Sequence, residues 1–288
     1  MERKRPKTNT KYSPPRSTKG ERPGTQCVPD IITRTFDLVT SKAVVPFYIL
    51  AGGYSFVYAS KANTAPTPRP PDYVVFAVLP LIYLMELVRH PPQTICPFHD
   101  HARRYILLGL IVCCIGDGLM AYNPDVHLVC WFGMTCIGFF FYSIAFFQYY
   151  RPGHWAKFVF PVSLIVTIVL IYMIGELKPA CAVLIFSIFL TVLGFFALAR
   201  LESCRTGPAY LGWAGVKLFA LSSLLLALNL LVPSLESPIS NTVVTMSYFL
   251  AQLGIALSTY TIQLCPASGS SSISPGCCES SASINSVN

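Results

Sequence analysis

Eight runs of roughly 20 mainly apolar residues, about 43–60, 73–89, 105–122, 126–148, 156–175, 179–199, 210–232 and 242–264, are separated only by short polar breaks. Each is long enough for a helix to cross a bilayer, and none reads as the ~10-residue alternating strands of an outer-membrane barrel. In hydrocarbon the backbone must satisfy its own polar groups, so each run predicts a helix. Composition agrees: 53% of the residues are hydrophobic and 12% charged, and the mean hydropathy is +0.54. That is too little charge to solvate a soluble surface of this size. The predicted fold class is all-α, a polytopic transmembrane helix bundle of about eight spans.

Charge placement orients the bundle, because Lys and Arg stay preferentially in cytoplasmic loops. Of the 21 basic residues, ten lie within residues 1–42, and Arg89, Arg103, Arg104, Arg151, Lys157, Arg200 and Arg205 fall on the same side. Lys61, Arg69 and Lys178 fall on the other side, and Lys217 lies inside a span, from which it can snorkel to the interface. The expected topology has both termini in the cytosol. The formal charge of +8 is then a topology signal, and no nucleic-acid partner is expected.

The chain divides into a basic tail (1–42), the eight-span domain (43–264) and a Ser-rich tail (265–288). Both tails have a composition that cannot bury a core and are expected to be disordered cytosolic segments. No cleaved signal peptide is expected before the first span. Cys113, Cys114, Cys130, Cys136 and Cys181 lie in apolar runs, where cysteine acts as a small hydrophobe, so no disulfide framework and no structural zinc are expected. The loop Cys96–His101 holds metal-ligand residue types without a second element to complete a site. Cys265, Cys277 and Cys278 are candidates for S-palmitoylation. Glu86 reads as an interfacial carboxylate paired with Arg89 or His90.

The third run carries one carboxylate, Asp117, in Gly116-Asp117-Gly118. An ionisable side chain inside a span is costly and normally faces a polar interior, where it serves function or holds a helix pair. Gly109, Cys113, Gly116 and Gly118 give this run a small-residue face open to close approach. The fourth run is aromatic, from Trp131 through Phe147, and reads as lipid-facing or bundle-filling. The seventh carries Ser222, Ser223 and Asn229. The eighth has a stripe of Ser247, Ala251, Gly254 and Ser258, with Tyr248 and Gln252 four apart on one face. At ~1.5 Å per residue, Ser223, Tyr248 and Gln252 can all approach the plane of Asp117.

Three stretches together resemble the lysoplasmalogenase, or YhhN-like, family of eight-span membrane proteins. Gly116-Asp117-x-x-Met120 is similar to its Gly-Asp-x-x-Leu element. Phe219-x-x-Ser222-Ser223-x-x-x-Ala227-x-Asn229 is similar to its Phe-x-x-Ser-Asp element, and Ser247-Tyr248-Phe249-x-Ala251-Gln252 to its Thr-Tyr-Tyr-x-Ala-Gln element. Ser223 stands where the family usually has its second acidic residue, and Phe141 or Tyr142 where its His is expected.

The resemblance implies hydrolysis of the vinyl ether bond of lysoplasmalogens to a fatty aldehyde and glycerophosphocholine or glycerophosphoethanolamine. It implies Asp117, Ser223 and Tyr248 as catalytic residues, and Gly116, Tyr142, Ser222, Asn229 and Gln252 as substrate-binding residues. No cofactor is implied. The partners are the lysophospholipid substrate and membrane lipids, a homo-oligomer is compatible with them, and the expected address is the endoplasmic reticulum or another endomembrane. The alternatives are a weakened member that only binds lysolipid, and a proton-coupled transporter of a small solute or lipid.

Overall fold

The computed structural model describes residues 28–61, 71–90, 97–147, 154–175, 177–203, 205–232 and 237–260. Among them are nine α-helices and no strand: α1 (Val28–Val39), α2 (Val45–Lys61), α3 (Pro71–Arg89), α4 (Pro97–Tyr122), α5 (Pro124–Phe147), α6 (Val159–Ile174), α7 (Leu177–Ser203), α8 (Gly207–Leu231) and α9 (Pro238–Leu257). Helices α2 to α9 answer the eight apolar runs one for one. Five of them, α4, α5, α7, α8 and α9, are long and apolar enough to cross a membrane, and α2 and α6 carry shorter apolar stretches, Val45–Val57 and Val159–Ile174.

Two boundaries differ from the expectation. Helix α1 lies within the tail expected to be disordered and packs against α8. Its sequence alternates apolar and polar positions at helical period, so it has a face to bury. Helix α4 begins eight residues before the apolar run, because Pro97 suits a first helical turn and Asp100 can pair with Arg103 and with Arg104 (2.8 Å) one turn on. Residues 97–101, read as part of a loop, therefore form the opening of a helix. The N-terminal segment 1–27 and the Ser-rich tail with Cys265, Cys277 and Cys278 lie outside the described residues.

Helix α9 runs through the middle, in contact with α2, α3, α4 and α8. From Ser247 to Tyr260 every residue but Leu250 is buried. Its small-residue stripe faces α8: a Cβ on Gly254 would meet Leu211 O at 2.8 Å, and one on Gly215 would meet Ala251 O at 2.7 Å. Only glycine at both positions lets these two backbones touch, the small-residue contact common between membrane helices. The end of α9 is tied down by Arg200, whose Nη2 donates to Ser258 O at 2.8 Å.

Apolar side chains cover the outside as well. Val162, Leu164, Ile165, Ile168 and Val169 of α6 are all exposed. An exterior of this kind suits lipid rather than water. Lys217 is exposed on α8 with Nζ 3.6 Å over the Trp213 ring, one turn toward the helix start, as a snorkelling lysine would sit. Glu86 pairs with His90 at 3.1 Å. Cys113, Cys114, Cys130, Cys136 and Cys181 are all free thiols.

Candidate active site

Asp117 lies five residues before the end of α4, and α5 turns straight back along it. Gly109, Gly116 and Gly138 at this contact are all buried. A Cβ on Gly116 would meet Met134 Cβ at 3.0 Å, and one on Gly109 would run into the Tyr142 ring. The close approach brings Trp131 of α5 against Asp117, and its Nε1 donates to Asp117 Oδ1 at 2.8 Å. Tyr248 Oη of α9 donates to the other oxygen, Asp117 Oδ2, at 2.7 Å.

The hydrogen bonds continue away from the carboxylate. Gln252 Nε2 donates to Tyr248 Oη at 3.2 Å, Tyr142 Oη donates to Gln252 Oε1 at 2.7 Å, and Tyr142 Oη lies 4.0 Å from Cys113 Sγ. Every donor in this series points toward Asp117. Gln252 and Tyr142 are fully buried. With both ends of the Gln252 amide bound, Tyr248 can turn its hydroxyl hydrogen only toward the carboxylate, so the series acts as one aligned unit.

Asp117, Trp131 and Tyr248 share the wall of a cavity of about 100 Å³ with Phe219, Ser222 and Ser223 of α8 and with Asn241 and Thr245 of α9. Tyr54, Phe186 and Phe249 add aromatic rings to the wall, and Ala77, Met120, Leu226 and Val244 add aliphatic side chains. Such a space admits several waters or a small polar fragment. A single carboxylate, held by two donors and open to a largely apolar cavity, can give a proton to a bound substrate and take one back from water.

The predicted site residues thus divide. Asp117, Ser222, Ser223 and Tyr248 lie on the cavity wall. Ser223 Oγ donates to Phe219 O at 2.8 Å and Ser222 Oγ to Val244 O at 2.8 Å, which leaves each oxygen as an acceptor. Gln252 and Tyr142 do not line the cavity, and they reach Asp117 only through Tyr248. Gly116 serves the α4–α5 packing. Asn229 is buried behind Asn241 rather than on the wall.

Trp131 is the residue that sequence reasoning misplaced. Read as lipid-facing or bundle-filling, it is instead a donor to the carboxylate, which satisfies its indole N–H. Asn241 and Thr245 were missed because they lie at the polar start of α9, where such residues are unremarked.

The model of the YhhN family matches residues 72–259. The match runs from α3 to the end of α9 and takes in every member of the hydrogen-bonded series around Asp117. No curated protein and no solved structure matches the chain.

Proposed function

Because the chain belongs to the YhhN family, the family of lysoplasmalogenase-like proteins, we propose that it is a membrane-embedded hydrolase of the vinyl ether bond of lysoplasmalogens. The observation that carries this reading is Asp117, set on a cavity wall with both oxygens held by donors. A vinyl ether opens by protonation of its β-carbon, and Asp117 supplies that proton. The oxocarbenium ion that results faces the new carboxylate. Water adds to it and loses a proton to Asp117, which restores the acid. The hemiacetal then collapses: its hydroxyl proton passes to the glycerol oxygen, the carbon–oxygen bond breaks, and a fatty aldehyde and a glycerophospho alcohol leave.

Trp131 and Tyr248 strengthen their bonds to Asp117 as it becomes a carboxylate, so they favour the charge-separated transition state over the bound substrate. Ser223, in place of a second carboxylate, offers a hydroxyl oxygen on the cavity wall that can accept a hydrogen from the attacking water. One carboxylate therefore serves as acid and then as base. Among the described residues Asp117 is the one carboxylate on this wall, which favours, as the second reading, a member that binds lysolipid without turning it over.

The same reading takes α2 to α9 as eight spans with both termini in the cytosol, in the endoplasmic reticulum or another endomembrane. Reaction in D₂O tests the mechanism. Protonation at the β-carbon puts one deuterium on the carbon next to the aldehyde. Aldehyde formed without that deuterium would contradict it.

A further inference from the structure

Asn241, in the first turn of α9, lies on the same cavity wall as Asp117 and takes no part in the hydrogen bonds around it. The residue is 9% exposed. Its Oδ1 accepts from Asn229 Nδ2 at 3.3 Å, and Asn229 Oδ1 accepts from Ser240 Oγ at 2.8 Å, so the amide is held from behind. Its Nδ2 has no acceptor among the described residues. An amide donor open to a largely apolar cavity is free to take an acceptor from a ligand.

Position says which acceptor. Asn241 and Tyr248 are seven residues apart, hence on one face of α9 and about 10 Å apart along it. Thr245 lines the cavity between them. In a lysoplasmalogen the phosphorus is seven bonds from the vinyl β-carbon, about 8 Å at the ~1.2 Å per bond of an extended chain. With the vinyl ether at Asp117, the phosphate reaches the level of Asn241. That level is also the N-terminal turn of α9, the positive end of its dipole, where an anion is favoured. Among the described residues no Lys or Arg lines the cavity, so an amide and a helix end are the donors at this level.

We propose that Asn241 recognises the phosphate of the substrate, its Nδ2 donating to a phosphodiester oxygen while Asn229 fixes the amide's orientation. The proposal rests on the hydrolase reading for the placement of the lipid, and its test does not depend on turnover. Two non-hydrolysable probes of equal chain length, 1-O-alkyl-lysophosphatidylcholine and 1-O-alkylglycerol, are titrated against the full-length protein in an uncharged detergent. The wild type binds the phosphate-bearing probe more tightly.

Asn241→Asp keeps the acceptor that Asn229 uses and replaces the free donor by a negative oxygen. It lowers affinity for the phosphate probe about tenfold or more and leaves the alkylglycerol within about twofold. Asn241→Ala shifts the same probe in the same direction. Equal binding of both probes by the wild type, or an equal loss on both in the variants, overturns the proposal. Aldehyde release is measured in parallel: its absence with phosphate selectivity intact removes the hydrolase reading and leaves Asn241 as a phosphate contact.

Discussion

Trp131 Nε1 of α5 and Tyr248 Oη of α9 donate to the two oxygens of one carboxylate, Asp117. Neither oxygen is left without a donor, and the carboxyl plane is fixed by two rigid rings. What remains adjustable is the proton that the group gives and takes.

Trp131→Phe keeps the ring in the wall and removes the donor to Oδ1. A hydrogen bond to a charged group is worth about 1.5–3 kcal/mol, so kcat should fall about 10- to 100-fold. KM should change little, because the bond strengthens mainly as charge develops. Steady-state kinetics of the purified variant measure both.

Tyr248→Phe should cost about the same in kcat as Trp131→Phe. Gln252→Leu should lower kcat less, since it leaves Tyr248 in contact with Asp117 and removes only the bond that orients its hydroxyl. In Tyr248→Phe that bond no longer exists, so adding Gln252→Leu should cost little more. A double-mutant cycle on kcat reads this directly.

Ser223→Asp should raise turnover, because it places a second carboxylate on the wall of the cavity that Asp117 lines. A gain of about 100-fold, the low end for a positioned general base, is the expected order. Unchanged turnover in a folded variant would mean that Asp117 alone already handles the water.

Gly254→Ala puts a methyl against Leu211 O and Gly215 Cα, where only backbone is available to move. Helices α8 and α9 must separate, at about 1–3 kcal/mol. Thermal unfolding in detergent should show a lower midpoint, whereas Gly133→Ala, whose Cβ meets nothing within 4 Å, should not.

Apolar length was enough to place α2 to α9, since a run of about 20 apolar residues has few structural outcomes. The start of α4 was not legible from hydropathy, because its first turn is held by the charges of Asp100, Arg103 and Arg104. Asp117 stood out because a charge in a span is rare, and Tyr248 and Gln252 followed from their i, i+4 spacing. Trp131 did not, because an indole that binds a carboxylate and one that faces lipid look alike in sequence. Gln252 and Tyr142 were expected on the substrate and lie behind Tyr248, a difference of depth that a helical spacing cannot report.

The most direct measurement is aldehyde release from 1-alkenyl-lysophosphatidylcholine and its ethanolamine counterpart by the purified, detergent-solubilised protein, beside Asp117→Asn. That variant keeps the size of the side chain and removes the transferable proton. Release by the wild type with loss of about 100-fold or more in Asp117→Asn is the predicted result. Equal release by both proteins, or none by a wild type that still binds the lysolipid, would contradict a hydrolase that works through Asp117.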